Sequence, residues 1–180
     1  MLSEATDAHA QYVARVFPIP DGFSTVSVHG VSGGAPTGYA GQNWNVPRAT
    51  LWDRVSGAPI DLHPGGGFTS SAVYGAAGAF QLGAATLSGT RYAAVWSGSA
   101  ASHVLLSRGS GTVPTFNAAA AGSMDGIRVV GSGSGGLSGS TFSKAAYWPD
   151  YLGTTVVNLH PQPDGTGVFL RVEWRERHRR

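Results

Sequence analysis

Two short stretches hold the residue types that chemistry most often uses. Asp61-Leu62-His63-Pro64 and Asn158-Leu159-His160-Pro161 each place an oxygen-bearing side chain two positions before a histidine. Carboxylate, amide and carbonyl oxygens suit a hard cation such as Ca²⁺, so Asp61 and Asn158 are the candidate metal ligands. His63 and His160 titrate near neutrality and are the candidate catalytic bases. In that reading the cation polarises a lactone or ester carbonyl and a histidine activates water. The same residues also have a structural use, because Asp and Asn cap turns and His-Pro ends a strand. Gly30-Val31-Ser32-Gly33-Gly34 has the form of a nucleophile elbow, which requires a strand, a sharp turn and a helix. Ala35-Pro36-Thr37-Gly38 follows it, and no helix is readable there. Asn43-Trp44-Asn45 sets an indole between two amides, a composition that can stack a ligand ring and bond its polar groups. These three are the candidate ligand-binding residues. Asp53, Asp125 and Asp150 read as loop residues, and His29 and His103 as packed or surface histidines. The chain has no cysteine, which excludes disulfides, thiolate catalysis and thiolate zinc sites.

The elements that carry these residues repeat. Gly30–Gly38, Ala49-Thr50-Leu51-Trp52 and Ile60–Pro64 follow one another in a first unit. Gly75–Gly83, Ala93-Ala94-Val95-Trp96 and Val104–Arg108 follow in a second, and Gly122–Gly131, Ala145-Ala146-Tyr147-Trp148 and Val157–Pro161 in a third. In every unit an Ala precedes the Trp by three positions, and the three Trp are 44 and 52 residues apart. A period in the forties to fifties is the length of one propeller blade. Each unit reads as short strands joined by glycine-rich turns, with small residues beside each Trp allowing sheets to approach closely. The sequence therefore predicts an all-β domain over residues 1–174. Its units span about 24–64, 70–108 and 116–161, and 175–180 form a basic tail. Strand-like runs at 10–18 and 166–174 could pair as a closing blade, giving a small β-propeller of four or five blades. Closure removes exposed sheet edges. The alternative is an open fragment that completes its ring by oligomerising.

Composition agrees with this reading. Gly makes up 27 of 180 residues and only 12% of residues are charged. A helical bundle needs abundant Glu, Lys, Arg and Leu on a 3.6-residue period, and this chain lacks them. The last ten residues hold five of the twelve basic groups and two of the ten acids; the remaining seven and eight leave the body at −1. A nearly neutral body gives no reason to expect a nucleic-acid partner. No apolar stretch is long enough for a membrane span. Met1–Asp7 show neither the basic region nor the apolar core of a signal peptide.

Ala49-Thr50-Leu51-Trp52 with Asp61-Leu62-His63-Pro64, Ala93-Ala94-Val95-Trp96-Ser97-Gly98, and Gln81-Leu82-Gly83 resemble the bacterial extracellular repeat proteins related to HAF repeats. The resemblance covers about residues 24–161. It implies a propeller-like β-fold and a secreted or periplasmic setting, and it carries no active site. Unit two departs from the pattern, with Leu105 and Ser107 where the others have Asp or Asn and His. The function expected is a repeat β-propeller, monomeric or a small homo-oligomer, binding a small molecule, glycan or protein partner without catalysis. The alternative is a calcium-dependent propeller hydrolase opening a lactone or ester.

Overall fold

The computed structural model describes residues 16–42, 45–109, 118–134, 143–152 and 155–159. The described chain is all-β: it contains one short 3-10 turn, Ala100–Ser102, and no α-helix. The first sheet is β1 (Thr25–Ser32), β2 (Ala35–Gln42), β3 (Asn45–Trp52) and β4 (Pro59–Asp61), paired in that order. The second is β5 (Phe68–Ala77), β6 (Phe80–Leu87), β7 (Thr90–Trp96) and β8 (Val104–Leu105). The third is β9 (Ala118–Asp125), β10 (Arg128–Ser134), β11 (Ser143–Trp148) and β12 (Val157–Asn158). All three are antiparallel meanders, and one parallel bridge, Arg91 to Ala118, joins the second to the third. Among the described residues no sheet closes on itself. Residues 16–18 lie outside any strand, while 10–15, 166–174 and 175–180 fall outside the described residues.

The repeat has a physical basis in three places. The first hairpin of each sheet turns in two residues, Gly33-Gly34, Gly78-Ala79 or Gly126-Ile127, and each turn opens on a glycine of positive φ. Positive φ at the first turn position matches the twist of the flanking strands. Before the turn, each first strand carries a β-bulge. The register skips His29, Tyr74 and Gly122 while aligning Gly38, Gly83 and Gly131 opposite Val28, Val73 and Ala121. A Cβ at Gly38, Gly83 or Gly131 would fall onto the carbonyl oxygen of Ser27, Ala72 or Ala120 respectively. Only glycine fits where the bulged backbone leans across. After the third strand, Leu62, Leu106 and Leu159 each donate a backbone N–H, to the carbonyls of Ala49, Ala93 and Ala145.

The bulge corrects the sequence alignment by one position. Gly122 shares a column with His29 and Tyr74, not with Gly30 and Gly75, whose counterpart is Ser123. Sequence spacing held the signal: Gly30 to Gly38 and Gly75 to Gly83 are eight apart, and Gly122 to Gly131 nine.

Each sheet lays its first strand across the face of the sheet before it, so β5 packs on β1–β3 and β9 on β5–β7. One core fills the first junction: Ala49, Leu51 and Leu62 meet Val73, Ala85, Ala94 and Trp96. The other fills the second: Leu82, Ala93, Val95 and Leu106 meet Ala121, Val129, Ala146 and Trp148. Trp52, Trp96 and Trp148 are wholly buried. Each withdraws on the order of 150–250 Å² of ring surface from water, the largest contribution of any residue here.

Candidate functional site

Asp61 ends β4, and its Oδ1 accepts the backbone N–H of His63 at 2.8 Å. That is the bond of an Asx turn. Its Oδ2 lies 3.5 Å from Nη1 of Arg48 across the strand pair, where both side chains are largely exposed. His63 Nδ1 shares a 2.9 Å hydrogen bond with the Ser71 hydroxyl. The Ser71 hydroxyl oxygen also accepts the Ala49 N–H at 3.0 Å. The chain Ala49–Ser71–His63 thus ties β3 of the first sheet to β5 of the second. Burial lowers the pKa of His63, with Arg48 adding to the effect and Asp61 opposing it. The imidazole is therefore neutral at neutral pH, with one nitrogen engaged.

Both carboxylate oxygens of Asp61 are already engaged in this arrangement. One Asp61 oxygen caps a turn and the other faces a guanidinium. Among the described residues no group of three or more His, Cys, Asp or Glu side chains comes together. Asn158 pairs with Ala146 in β12, but its side chain and the whole of His160 lie outside the described residues. The geometry brings His63 to Asp61.

Asn43 and Trp44 also lie outside the described residues, and Asn45 is described only as the first residue of β3. Ser32 is followed by a tight turn and β2, not by a helix. Its hydroxyl donates to the Gly78 carbonyl at 3.0 Å and accepts from Gln81 Nε2 at 2.7 Å. Gln81 Oε1 in turn accepts the Gly98 N–H at 2.8 Å. The Gln81-Leu82-Gly83 and Trp96-Ser97-Gly98 motifs are thus one buried polar network, and Ser32 belongs to it as a structural hydroxyl. Asp53 caps its own loop, accepting from the Val55 and Ser56 N–H groups at 3.0 and 2.7 Å and from the Ser56 hydroxyl. Those bonds, the Ser56 N–H first, hold its carboxyl below the ordinary range.

The bulge column carries the most exposed chemistry. At the first junction it brings His29 and Tyr74 together, and Tyr39 from β2 completes a three-ring cluster. His29 stacks on Tyr39 with centroids 5.3 Å apart, and Tyr74 meets both rings edge-on at 6.0 and 6.4 Å. At the second junction the equivalent positions are Tyr74, Ala84 and Gly122. Two of the three rings are gone, and an open cleft of about 330 Å³ takes their place. Tyr74 and Arg91 line one side; Ala120, Ala121, Gly122, Gly131 and Ser132 line the other. Arg91 Nη2 donates to Tyr74 Oη at 2.7 Å, and its guanidinium lies 5.4 Å from the ring centroid. Burial raises the pKa of the phenol, with Arg91 pulling the other way and Tyr39 adding to the rise. Tyr74 therefore stays protonated at any pH near neutrality.

Neither Tyr74 nor Arg91 stands out in the sequence. The signal was the shifted glycine: once Gly131 is aligned with Gly38 and Gly83, Gly122 falls where the other units carry rings. Searches of protein-family models, curated proteins and solved structures find no match to this chain. Among the described residues no helix is long and apolar enough to cross a membrane.

Proposed function

We propose that the chain is a propeller-type repeat scaffold, of the kind related to HAF repeats, that binds a small molecule or glycan without catalysis. The observation that carries this reading is the use of its most catalytic-looking residues. Asp61 caps a turn within the first sheet and His63 bonds Ser71, tying the first sheet to the second. A scaffold that spends its titratable side chains on junctions keeps its recognition for the space between sheets.

The propeller reading rests on the two end faces. Val28, Val73 and Ala121 share a column; the last two are 0% and 1% exposed beneath the preceding sheet, while Val28 is 49% exposed. On the opposite face Leu82 is 0% exposed under the third sheet, while its counterpart Val130 is 43% exposed. Both open faces thus repeat the surface of a sheet junction. Trp148 Nε1 donates to the carbonyl of Ser107, the second residue after β8, at 2.7 Å. Trp52 Nε1 donates to Pro18 at 3.0 Å. Pro18 stands where the end of a preceding outer strand belongs, which favours a closing sheet that takes its outer strand from the N-terminal segment. A cysteine-free chain makes this testable with Val28→Cys and Val130→Cys. Closure predicts that both thiols resist maleimide in a monomer, with Val55→Cys as a reactive control. Rapid labelling of either in a monomer rejects closure by the chain itself.

The functional reading is tested by thermal melts of the full chain with a panel of sugars, lactones and esters, and with Ca²⁺ or chelator. A ligand at about 100 times its Kd adds about 2.7 kcal/mol to a folded state that binds it. Stabilisation by a panel member without turnover, and indifference to Ca²⁺ and chelator, is the expected result. Chelator-sensitive lactone or ester hydrolysis would replace this reading with the calcium hydrolase.

A further inference from the structure

We infer that the cleft at the second sheet junction is a binding site for a carboxylate-bearing sugar ring. This deepens the scaffold reading and rests on it. The argument begins with the repeat. At the first junction His29, Tyr39 and Tyr74 fill the space at the bulge. At the second, Gly122 stands in the ring column and the space is open beside a ring and a cation. The space is an open cleft between the two sheets. Its volume of about 330 Å³ falls at the small end of ligand sites.

The two sides of the cleft differ in chemistry, and a ligand must satisfy both. Tyr74 offers a half-buried aromatic ring, which takes the C–H face of a saturated ring. Arg91 offers a planar guanidinium whose fork matches a carboxylate with two parallel hydrogen bonds. The Tyr74 hydroxyl, at 2.7 Å, holds that guanidinium at the cleft. Among the described residues no acidic side chain lines the space. The facing strands contribute only Ala, Gly and Ser, and a ring can approach their backbone closely. The Ser132 hydroxyl and the strand backbone supply partners for sugar hydroxyls. A neutral sugar leaves the guanidinium without its anion, and a bare carboxylate leaves the ring face unused. A uronic acid satisfies both.

The experiment is isothermal titration of the full chain with D-glucuronate, D-glucose and acetate, with tetragalacturonate as the polymer arm. Glucuronate should bind at least about tenfold more tightly than glucose or acetate. Tighter binding of tetragalacturonate would place the sugar in a chain; equal binding would make the free sugar the ligand. Gly122→Tyr is the decisive variant. A Cβ there meets nothing closer than the Val130 carbonyl oxygen at 3.9 Å and its φ is not positive, so the backbone accepts a side chain, and a tyrosine ring should enter the cleft. It should abolish glucuronate binding while the thermal melt stays intact. Arg91→Gln should lower affinity for glucuronate at least about tenfold and leave glucose unchanged, and it keeps the test open if Gly122→Tyr misfolds. Binding of glucuronate that survives either variant overturns the cleft assignment. Absence of glucuronate binding overturns it too, and the wider ligand panel then decides separately whether the scaffold reading stands.

Discussion

The two sheet junctions of this chain are built from the same columns and end in different states. Both bury a Trp from the following sheet, both bring bulged first strands together, and both pack an Ala-rich third strand under the next sheet. They differ in how polar groups are met. At the second junction Trp148 Nε1 reaches the Ser107 carbonyl. At the first, Trp96 Nε1 is buried with no hydrogen-bond partner. The first junction has instead the Ala49–Ser71–His63 chain and the Ser32–Gln81–Gly98 network. It also has its aromatic cluster, where the second has a cleft. A repeat therefore fixes the frame of a junction, through bulge, glycine and Trp, and leaves its lining free to be closed or open.

The largest test of this contrast is on the tryptophans. Trp96→Ala and Trp148→Ala should each cost about 3–5 kcal/mol, because either leaves a ring-sized hole between sheets. The Phe variants separate the junctions. Trp148→Phe loses a buried hydrogen bond and strands the Ser107 carbonyl, while Trp96→Phe removes a polar atom that had no partner. Denaturant titration should find Trp96→Phe the milder by about 1 kcal/mol. Equal losses would mean that the indole bond contributes nothing to the second junction.

The bulge glycines come next. Gly83→Ala and Gly131→Ala drive a methyl onto a strand carbonyl, and each should destabilise by about 1–3 kcal/mol. Gly122→Ala enters open space and should stay within about 0.5 kcal/mol of the parent. A large loss at Gly122 would show that the cleft is narrower than its lining indicates.

The frame was readable from sequence because it depends on residue types that cannot be exchanged. The Trp column, the Ala three places before it and the turn glycines mark the β-rich repeat directly. The bulge was not readable, since a skipped residue shifts a register without changing composition, and so Gly122 was aligned one place away. The candidate site was less legible still. Asp61 and His63 stood out by type, yet their partners Arg48 and Ser71 come from a neighbouring strand and from the next sheet. Tyr74 and Arg91 are ordinary strand residues until the pairing of β5, β6 and β7 sets one beside the other.

A smaller effect follows from the histidine at the first junction. His63 has a lowered pKa in the folded chain, so the unfolded chain protonates first as pH falls. Its stabilising contribution is present above about 6.5 and declines as the pH drops below that value. His63→Ala should flatten this part of the stability curve between pH 7 and 5, measured by denaturant midpoints. A variant with an unchanged acid slope would mean that another group produces it. The second junction has Ser107 in the histidine column.

The smallest expected effect probes whether open space alone makes a site. Tyr39→Ala should remove one of the three rings of the first junction and open there a gap like that beneath Tyr74. Beyond the burial of a partly exposed ring, the loss is its stacking on His29, worth about 0.5–1.5 kcal/mol. The gap would lack a cation in the place of Arg91, whose counterpart on β3 is Pro47, a residue with no side-chain donor. Titration with glucuronate should therefore still give a single site per chain, with unchanged affinity. A second site appearing in Tyr39→Ala would show that shape suffices for binding and that the guanidinium at the second junction is incidental. An unchanged stoichiometry would tie recognition to the pairing of ring and cation, which this repeat supplies at one junction and withholds from the other.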